Sequence, residues 1–426
     1  MIYGGDGLAR LPADEHGPGK AVFLPFVLAG ERVEARLVEQ KPGFARAQVE
    51  KILSPAATRI QARCPYFLRC GGCQYQHTTY EHQVEIKAAI LKENLARLAK
   101  IELPVTLQVH ASPAWNYRNR TRMQVGADND FLLGYFRYGS HEVLAVEECP
   151  ISSPLINGAI AATWNLGRAG KMSGDVVEIE FFANSSDTEL LVEIYCRADT
   201  DSGKISAISE VSKSEIPHVI GAAAFRFPTS RHAPDVPSKL ESVAGRKEIN
   251  YETQHATYRV SAGAFFQTNR YLVDELVSVV TTGASGRAAL DLYAGVGLFS
   301  TVLKRNFERV IAVELSPMSF SDLQYNSAGN VKAVQAASEQ YLERSGTKSR
   351  PDLVVVDPPR GGLGRKVAQA LGQLGPPQVT YVSCDPATLA RDLVVLSGAG
   401  YRIEEAHLFD LFPQTFHIET VIKLRK

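Results

Sequence analysis

From residue 263 to its end the chain alternates apolar, strand-like runs with helical stretches, and this rhythm restricts the possible folds more than any other feature. A helical pattern over 269–280 leads into strand-like runs at 288–292, 309–313, 353–356 and 379–382, with helices between them and another over 387–396. Such alternation predicts a parallel, doubly wound sheet covered by helices. The end breaks the rhythm: 401–408 and 418–424 both read as strands, with no helix between them. In open α/β sheets ligands collect at the carboxyl ends of strands, so residues just past each run carry the chemistry.

Four of those positions stand out. Asp291-Leu-Tyr-Ala-Gly-Val-Gly-Leu-Phe-Ser300 follows one strand and opens a helix, with Gly295 and Gly297 permitting a tight turn close to a ligand. Only two glycines are present, so a dinucleotide fingerprint is incomplete. Glu314 ends the next strand, where an acidic residue accepts from both hydroxyls of a ribose. A structural turn with an exposed Glu is the plain alternative to this nucleoside site. Asp357-Pro-Pro-Arg-Gly-Gly362 follows 353–356, and its prolines stiffen a loop able to hold Asp357 toward a base or cofactor. Cys384 lies between the strand 379–382 and the helix 387–396; alone, an inert buried cysteine is as good a reading as a nucleophile.

The terminal pair of strands is unusual for nicotinamide-binding Rossmann domains and is similar to the ending of Rossmann-like, S-adenosylmethionine-dependent methyltransferases. A thiol beside a methyl donor suggests covalent activation of a pyrimidine. A thiolate adding to carbon 6 of uracil turns carbon 5 into a nucleophile toward the methyl group. The carbon 5 proton must then be removed, and Phe412-Pro-Gln-Thr-Phe-His-Ile-Glu419 offers His417 and Glu419 for that step.

The rest of the chain is organised differently. Residues 1–60 read as a small β-barrel of the oligonucleotide-binding type, with strand-like runs at 21–28, 31–38 and 44–53. Residues 61–262 read as a mostly β central domain after an amphipathic helix over 80–99, with strands at 120–125, 131–136, 176–182, 189–195 and 222–227. Of the six cysteines, three (Cys64, Cys70 and Cys73) fall within ten residues, and Cys149 and Cys196 follow at a distance. Without a secretory signal such crowding points to metal rather than disulfides, and by spacing alone zinc stays open beside iron–sulfur. Basic and acidic residues balance at 46 each, so no global charge argues for nucleic acid. Locally, Trp115-Asn-Tyr-Arg-Asn-Arg-Thr-Arg-Met123 suits phosphate pairing and stacking, but a solvated strand face is the preferred reading of that segment alone. Nothing is long and apolar enough to span a bilayer, and a cytoplasmic location is expected.

Taken together, Phe265-Phe-Gln-Thr-Asn269, Asp291 to Gly297, Asp357 to Gly361, Ser383-Cys-Asp-Pro-Ala-Thr-Leu-Ala-Arg391 and His417-Ile-Glu-Thr-Val421 resemble the signatures of the RNA uracil-5-methyltransferases over essentially the whole chain. The resemblance implies a class I methyltransferase domain over 263–426, with Cys384 as nucleophile and Glu419 as base. It implies that Gln267, Tyr293, Glu314 and Asp357 line the S-adenosylmethionine site. Gln414 stands where the family usually has histidine, so a proton-relay role is not carried over to it. Cys64-Pro-Tyr-Phe-Leu-Arg-Cys70-Gly-Gly-Cys73 with Cys149 is similar to the motif that holds a four-iron, four-sulfur (4Fe-4S) cluster in the ribosomal-RNA branch. The amino-terminal domain resembles a TRAM domain, which binds RNA. The implied partner is RNA, 23S rRNA ahead of tRNA, for a monomer without membrane attachment. Cytosine-5 methylation of RNA and a non-catalytic RNA-binding metal protein are the alternatives.

Overall fold

The computed structural model describes residues 1–11, 19–126, 131–228, 238–345 and 350–426. The alternating segment forms an eight-stranded sheet, whose order is Val331–Gln335, Phe307–Glu314, Gly286–Leu292, Leu353–Val356, Gln378–Ser383, Glu419–Arg425, Arg402–Phe409 and Leu107–His110. The first five of these pair in parallel. Glu419–Arg425 then runs antiparallel to both of its neighbours, giving the terminal hairpin expected from two strands without a helix between them. Leu353–Val356 is buried along its whole length, as a strand covered by helices on both faces must be.

The edge of this sheet was not expected. Leu107–His110 comes from the segment read as a separate central domain, yet it pairs in parallel with Arg402–Phe409. Its sequence, Leu-Gln-Val-His, is too short to advertise a partner some 300 positions away. The hairpin Glu248–Glu252 with Thr257–Ser261 likewise sends Tyr251 and Tyr258 into the core shared with the sheet.

The central segment carries a seven-stranded sheet, together with helices that the strand-like pattern did not announce. Helices Pro154–Arg168 and Ser202–Glu215 pack beside it. The first starts where the Ser153 side chain accepts from the Ile156 amide and Pro154 supplies a fixed φ. It buries Ile156, Ala159, Ile160, Thr163 and Trp164, the spacing of one helical face. The second crosses over between Leu190–Cys196 and Val219–Arg226, which pair in parallel and so need a connection of that kind.

At the amino end four strands form one sheet, in the order Asp6–Arg10, Ala21–Pro25, Phe44–Ser54, Arg32–Gln40. Its small core is Val22, Leu24, Val27, Ala45 and Ala47. Among the described residues no helix is long and apolar enough to cross a membrane.

Candidate active site

Sheet register brings the reactive groups together. Gln378–Ser383 and Glu419–Arg425 are antiparallel, with Ser383 opposite Thr420. One step further along the same register places Cys384 opposite Glu419. On the other side Val356 pairs with Tyr381, so Asp357 emerges beside them at the same carboxyl edge. Thr420 Oγ1 donates to the Ser383 carbonyl at 3.1 Å and ties the two strands at this point. A single cavity of about 960 Å³ is lined by Cys384, Glu419, Asp357, Gln267, Tyr293 and Glu314.

The far end of the cavity is built for a polar ligand. Tyr293, Gly295 and Gly297 all have positive φ, at 63°, 55° and 91°. A Cβ on Gly297 would lie 2.8 Å from Ser327 Oγ and 2.9 Å from Leu323 Cδ1, so only glycine lets the turn close against the end of the helix Pro317–Asn326. Tyr293 holds the left-handed conformation without that freedom, as residues at ligand sites often do. The Glu314 carboxylate accepts from the amides of Gly295 at 2.8 Å and Ser316 at 2.7 Å. Both oxygens are thereby aimed, each with capacity to accept another donor. Gln267 is held through its carbonyl, which accepts from Asn119 Nδ2 at 3.1 Å.

At the near end the electrostatics favour neutral groups. Burial, then Glu419 and Asp357, pushes the Cys384 thiol up to about 12, while Arg360 acts in the opposite direction. Burial and then Asp357 hold the Glu419 carboxyl well above its usual range, again opposed by Arg360. Asp357 is itself raised by burial and by Asp291. His417 also faces the cavity, but burial and then Arg360 lower it to about 3, so it is a neutral and weakly basic imidazole. Thiol, carboxyl and guanidinium therefore share one site, in which Arg360 opposes the upward shift of both Cys384 and Glu419.

Some of the participants carry little sequence signal. Tyr3 donates its hydroxyl to the Cys384 carbonyl at 3.2 Å and packs edge-on against Phe416, from the opposite end of the chain. Arg360 was visible, as the cation of the Asp-Pro-Pro-Arg loop, but only its contact with the His417 ring at 3.3 Å gives it a place. Gln414 turns away from the cavity: its side chain accepts from Gln83 Nε2 at 3.0 Å. That geometry gives it no path to Glu419 as a proton relay.

Two arginines of the segment form ion pairs within the central sheet. Arg120 pairs with Glu180 and with Glu193, at 2.9 Å to the latter. Arg122 pairs with Glu180 at 2.5 Å and Glu178 at 3.4 Å, and donates to Tyr195 at 2.8 Å. These charges are spent inside the central sheet. Arg118 instead lines a second cavity, and its Nε is buried without a hydrogen-bond partner.

That second cavity, about 160 Å³, is lined by Cys64, Cys70, Cys73 and Cys149 together. The Cys64 amide donates to Gln76 Oε1 at 3.1 Å, and Cys149 is clamped by Asn157 through its amide and its carbonyl. Burial raises the thiols of Cys64, Cys70 and Cys73, and the nearby Cys149 adds to the shift in each. No three His, Cys, Asp or Glu side chains among the described residues are grouped closely enough to hold a metal ion directly. Cys196 is buried in the central core.

Residues 79–426 match the family described as tRNA (uracil-5-)-methyltransferase, and residues 3–49 match the TRAM domain. An uncharacterized RNA methyltransferase of Aquifex aeolicus is 33% identical over 430 residues, covering 100% of this chain and 96% of its own length. One from Streptomyces avermitilis is 32% identical over 446 residues, covering 99% of this chain and 95% of its own. The crystal structure of Pyrococcus abyssi tRNA (uracil-54, C5)-methyltransferase in complex with S-adenosyl-L-homocysteine superposes with a TM-score of 0.74 at 25% identity, covering 98% of this chain and 100% of that one.

Proposed function

The chain belongs to the tRNA (uracil-5-)-methyltransferase family and carries a TRAM domain near its amino end, and on that premise we propose that it methylates carbon 5 of a uridine in 23S rRNA through a covalent adduct on Cys384. The observation that carries this reading is the antiparallel register that sets Cys384 beside Glu419 in one cavity with the glycine turn and Glu314. S-adenosylmethionine is the methyl donor, a co-substrate consumed at each turnover. Glu314 would accept from its ribose hydroxyls, while Tyr293, Gln267 and Asp357 line the rest of its path.

Target uridine must leave its stack to enter the cavity. Cys384 sulfur adds to carbon 6, and Arg360 favours the thiolate that this requires. Carbon 5, now electron-rich, takes the methyl group and becomes tetrahedral. Glu419 removes the carbon 5 proton, the C–H electron pair restores the C5–C6 double bond, and the C6–S bond breaks to return the thiolate. A sulfonium cation in the same cavity offsets the repulsion between Asp357 and Glu419, so a bound donor favours the reactive carboxylate. Incubation with tritiated methyl donor and RNA, followed by nucleoside analysis, is expected to yield 5-methyluridine; label found only in 5-methylcytidine or in adenosine overturns the assignment.

Glu314→Ala removes two aimed acceptors. Hydrogen bonds to a charged group contribute about 1.5–3 kcal/mol each, so donor affinity by calorimetry is expected to fall at least roughly 10-fold. An unchanged affinity would remove Glu314 from the site.

For the four thiols the reading is a 4Fe-4S cluster held by Cys64, Cys70, Cys73 and Cys149. Zinc also takes four thiolates and is the alternative occupant. The four thiols and the buried, unpartnered Arg118 Nε would together hold the anionic 4Fe-4S cluster in that cavity. When bound, such a cluster would link separate chain segments and supply a one-electron couple. Protein purified without oxygen is expected to be brown and to bleach on reduction. Colourless protein containing one zinc per chain rejects the cluster.

The ribosomal substrate rests on the cysteine motif joined to a TRAM domain. The solved Pyrococcus relative acts on uracil 54 of tRNA, which favours tRNA as the second reading. Methylation assays with unmodified 23S rRNA and tRNA in parallel decide between them.

A further inference from the structure

Glu419 begins its strand straight after a loop, 410–418, that has no regular structure of its own and passes over the sheet edge. Ordering such a segment is entropically costly, on the order of 1–2 kcal/mol per residue, so its position depends on external anchors. Those anchors include the cysteine-bearing segment, the helix Tyr80–Asn94 and Tyr117. The amides of Gln74 and Tyr75 both donate to the Gln414 carbonyl at 2.9 Å. Gln83 accepts from the Gln414 amide at 2.9 Å and donates to its side chain. Lys87 and Asp410, both fully buried, pair at 2.6 Å. The Tyr117 hydroxyl donates to the Pro413 carbonyl at 3.0 Å.

Gln74 differs from the other anchors because its side chain has one arm on each side. Its Nε2 donates to the Gly71 carbonyl at 2.9 Å, inside the Cys70–Cys73 loop. Its Oε1 accepts from the Phe416 amide at 3.3 Å, one residue before His417 and three before Glu419. The stem is pinned from above: a Cβ on Gly5 would lie 2.8 Å from Gln74 Cβ, so the amino-terminal tail crosses it at a distance only glycine allows. Gln74 is 6% exposed and lies outside the methyl-transfer cavity, so it touches none of the reacting atoms.

We propose that Gln74 is a positioning residue for proton removal, holding the 414–417 segment against the cysteine loop so that Glu419 meets carbon 5 of the methylated adduct. The proposal rests on Glu419 being the base. Addition of sulfur and arrival of the methyl group do not need the base. A displaced loop should therefore stall the reaction at one point, before the carbon 5 proton passes to Glu419 and the C6–S bond breaks. The stalled species is a methylated RNA joined to Cys384.

Gln74→Met keeps length and volume and removes both hydrogen bonds. It is expected to slow 5-methyluridine formation roughly 10- to 100-fold, the cost of a misplacement on the order of 1 Å. At the same time the fraction of protein in denaturation-resistant, methylated RNA adduct should rise severalfold, with S-adenosylhomocysteine affinity within twofold of native. Native turnover and adduct levels overturn the proposal, as does lost turnover with no adduct and weakened ligand binding, which marks structural support alone. Gln74→Glu keeps an oxygen for the Phe416 amide but loses the donor to Gly71. Recovery toward native adduct levels is expected, and an adduct level equal to that of Gln74→Met overturns the Phe416 arm. Glu419→Gln, run alongside, separates the two failures. Adduct with Glu419→Gln alone rejects the role of Gln74, and adduct with neither rejects the base itself.

Discussion

Cys384→Ala is expected to lower 5-methyluridine formation by at least about 10⁴-fold, the scale seen when a nucleophile that acts with its neighbours as a unit is deleted. Covalent RNA adduct should disappear with it. No other thiol is placed to substitute: Cys196 is sealed in the central core, and the remaining four line the second cavity. The side chain is half-buried at the end of its strand and packs no large volume, so fold and donor binding are expected to survive. Binding of S-adenosylhomocysteine by calorimetry checks this directly. Residual turnover within tenfold of native would mean that carbon 5 is activated without sulfur, and the covalent reading would fall.

How far the chain announced this arrangement depends on the range of each interaction. Apolar runs such as Leu353–Val356 are local signals, and each sits where the sequence placed it. The position of a residue just past such a run is equally local, which is why Cys384, Asp357 and Glu314 could be set on one sheet edge without coordinates. The join between Leu107–His110 and the sheet is not local, and four residues of mixed polarity carry no trace of it. Tyr3 is the extreme case, reaching the Cys384 carbonyl from 381 positions away. Helix Pro154–Arg168 did carry local signals, a Ser-Pro start and an apolar stripe, but neighbouring strand patterns outweighed them. Arg120 and Arg122 show the limit of composition: spacing reveals charge, but not that Glu180 and Glu193 wait on other strands of the same sheet to neutralise it.

Glu419→Gln is expected to cut turnover about 10²- to 10⁴-fold, the usual range for a positioned general base, while leaving RNA attached to Cys384 with its methyl group already in place. Accumulated adduct distinguishes this variant from Cys384→Ala, which forms none. The same change should make the fold more resistant to heat, and increasingly so as pH rises. The Glu419 carboxyl is raised in the folded protein by burial and by Asp357, so the folded state binds its proton more tightly than the unfolded chain does. Stability from that proton is complete below the unfolded carboxyl value of about 4.3 and is lost as pH climbs through the folded value. Glutamine stays neutral at every pH and escapes the loss. The gain in Tm of Glu419→Gln over the native protein should therefore be small at pH 5 and larger at pH 8. A gain that shrinks with rising pH would show the carboxyl to be charged and well accommodated in the resting site. Catalysis would then have to begin from a carboxylate already formed, with no help from the donor's positive charge in creating it.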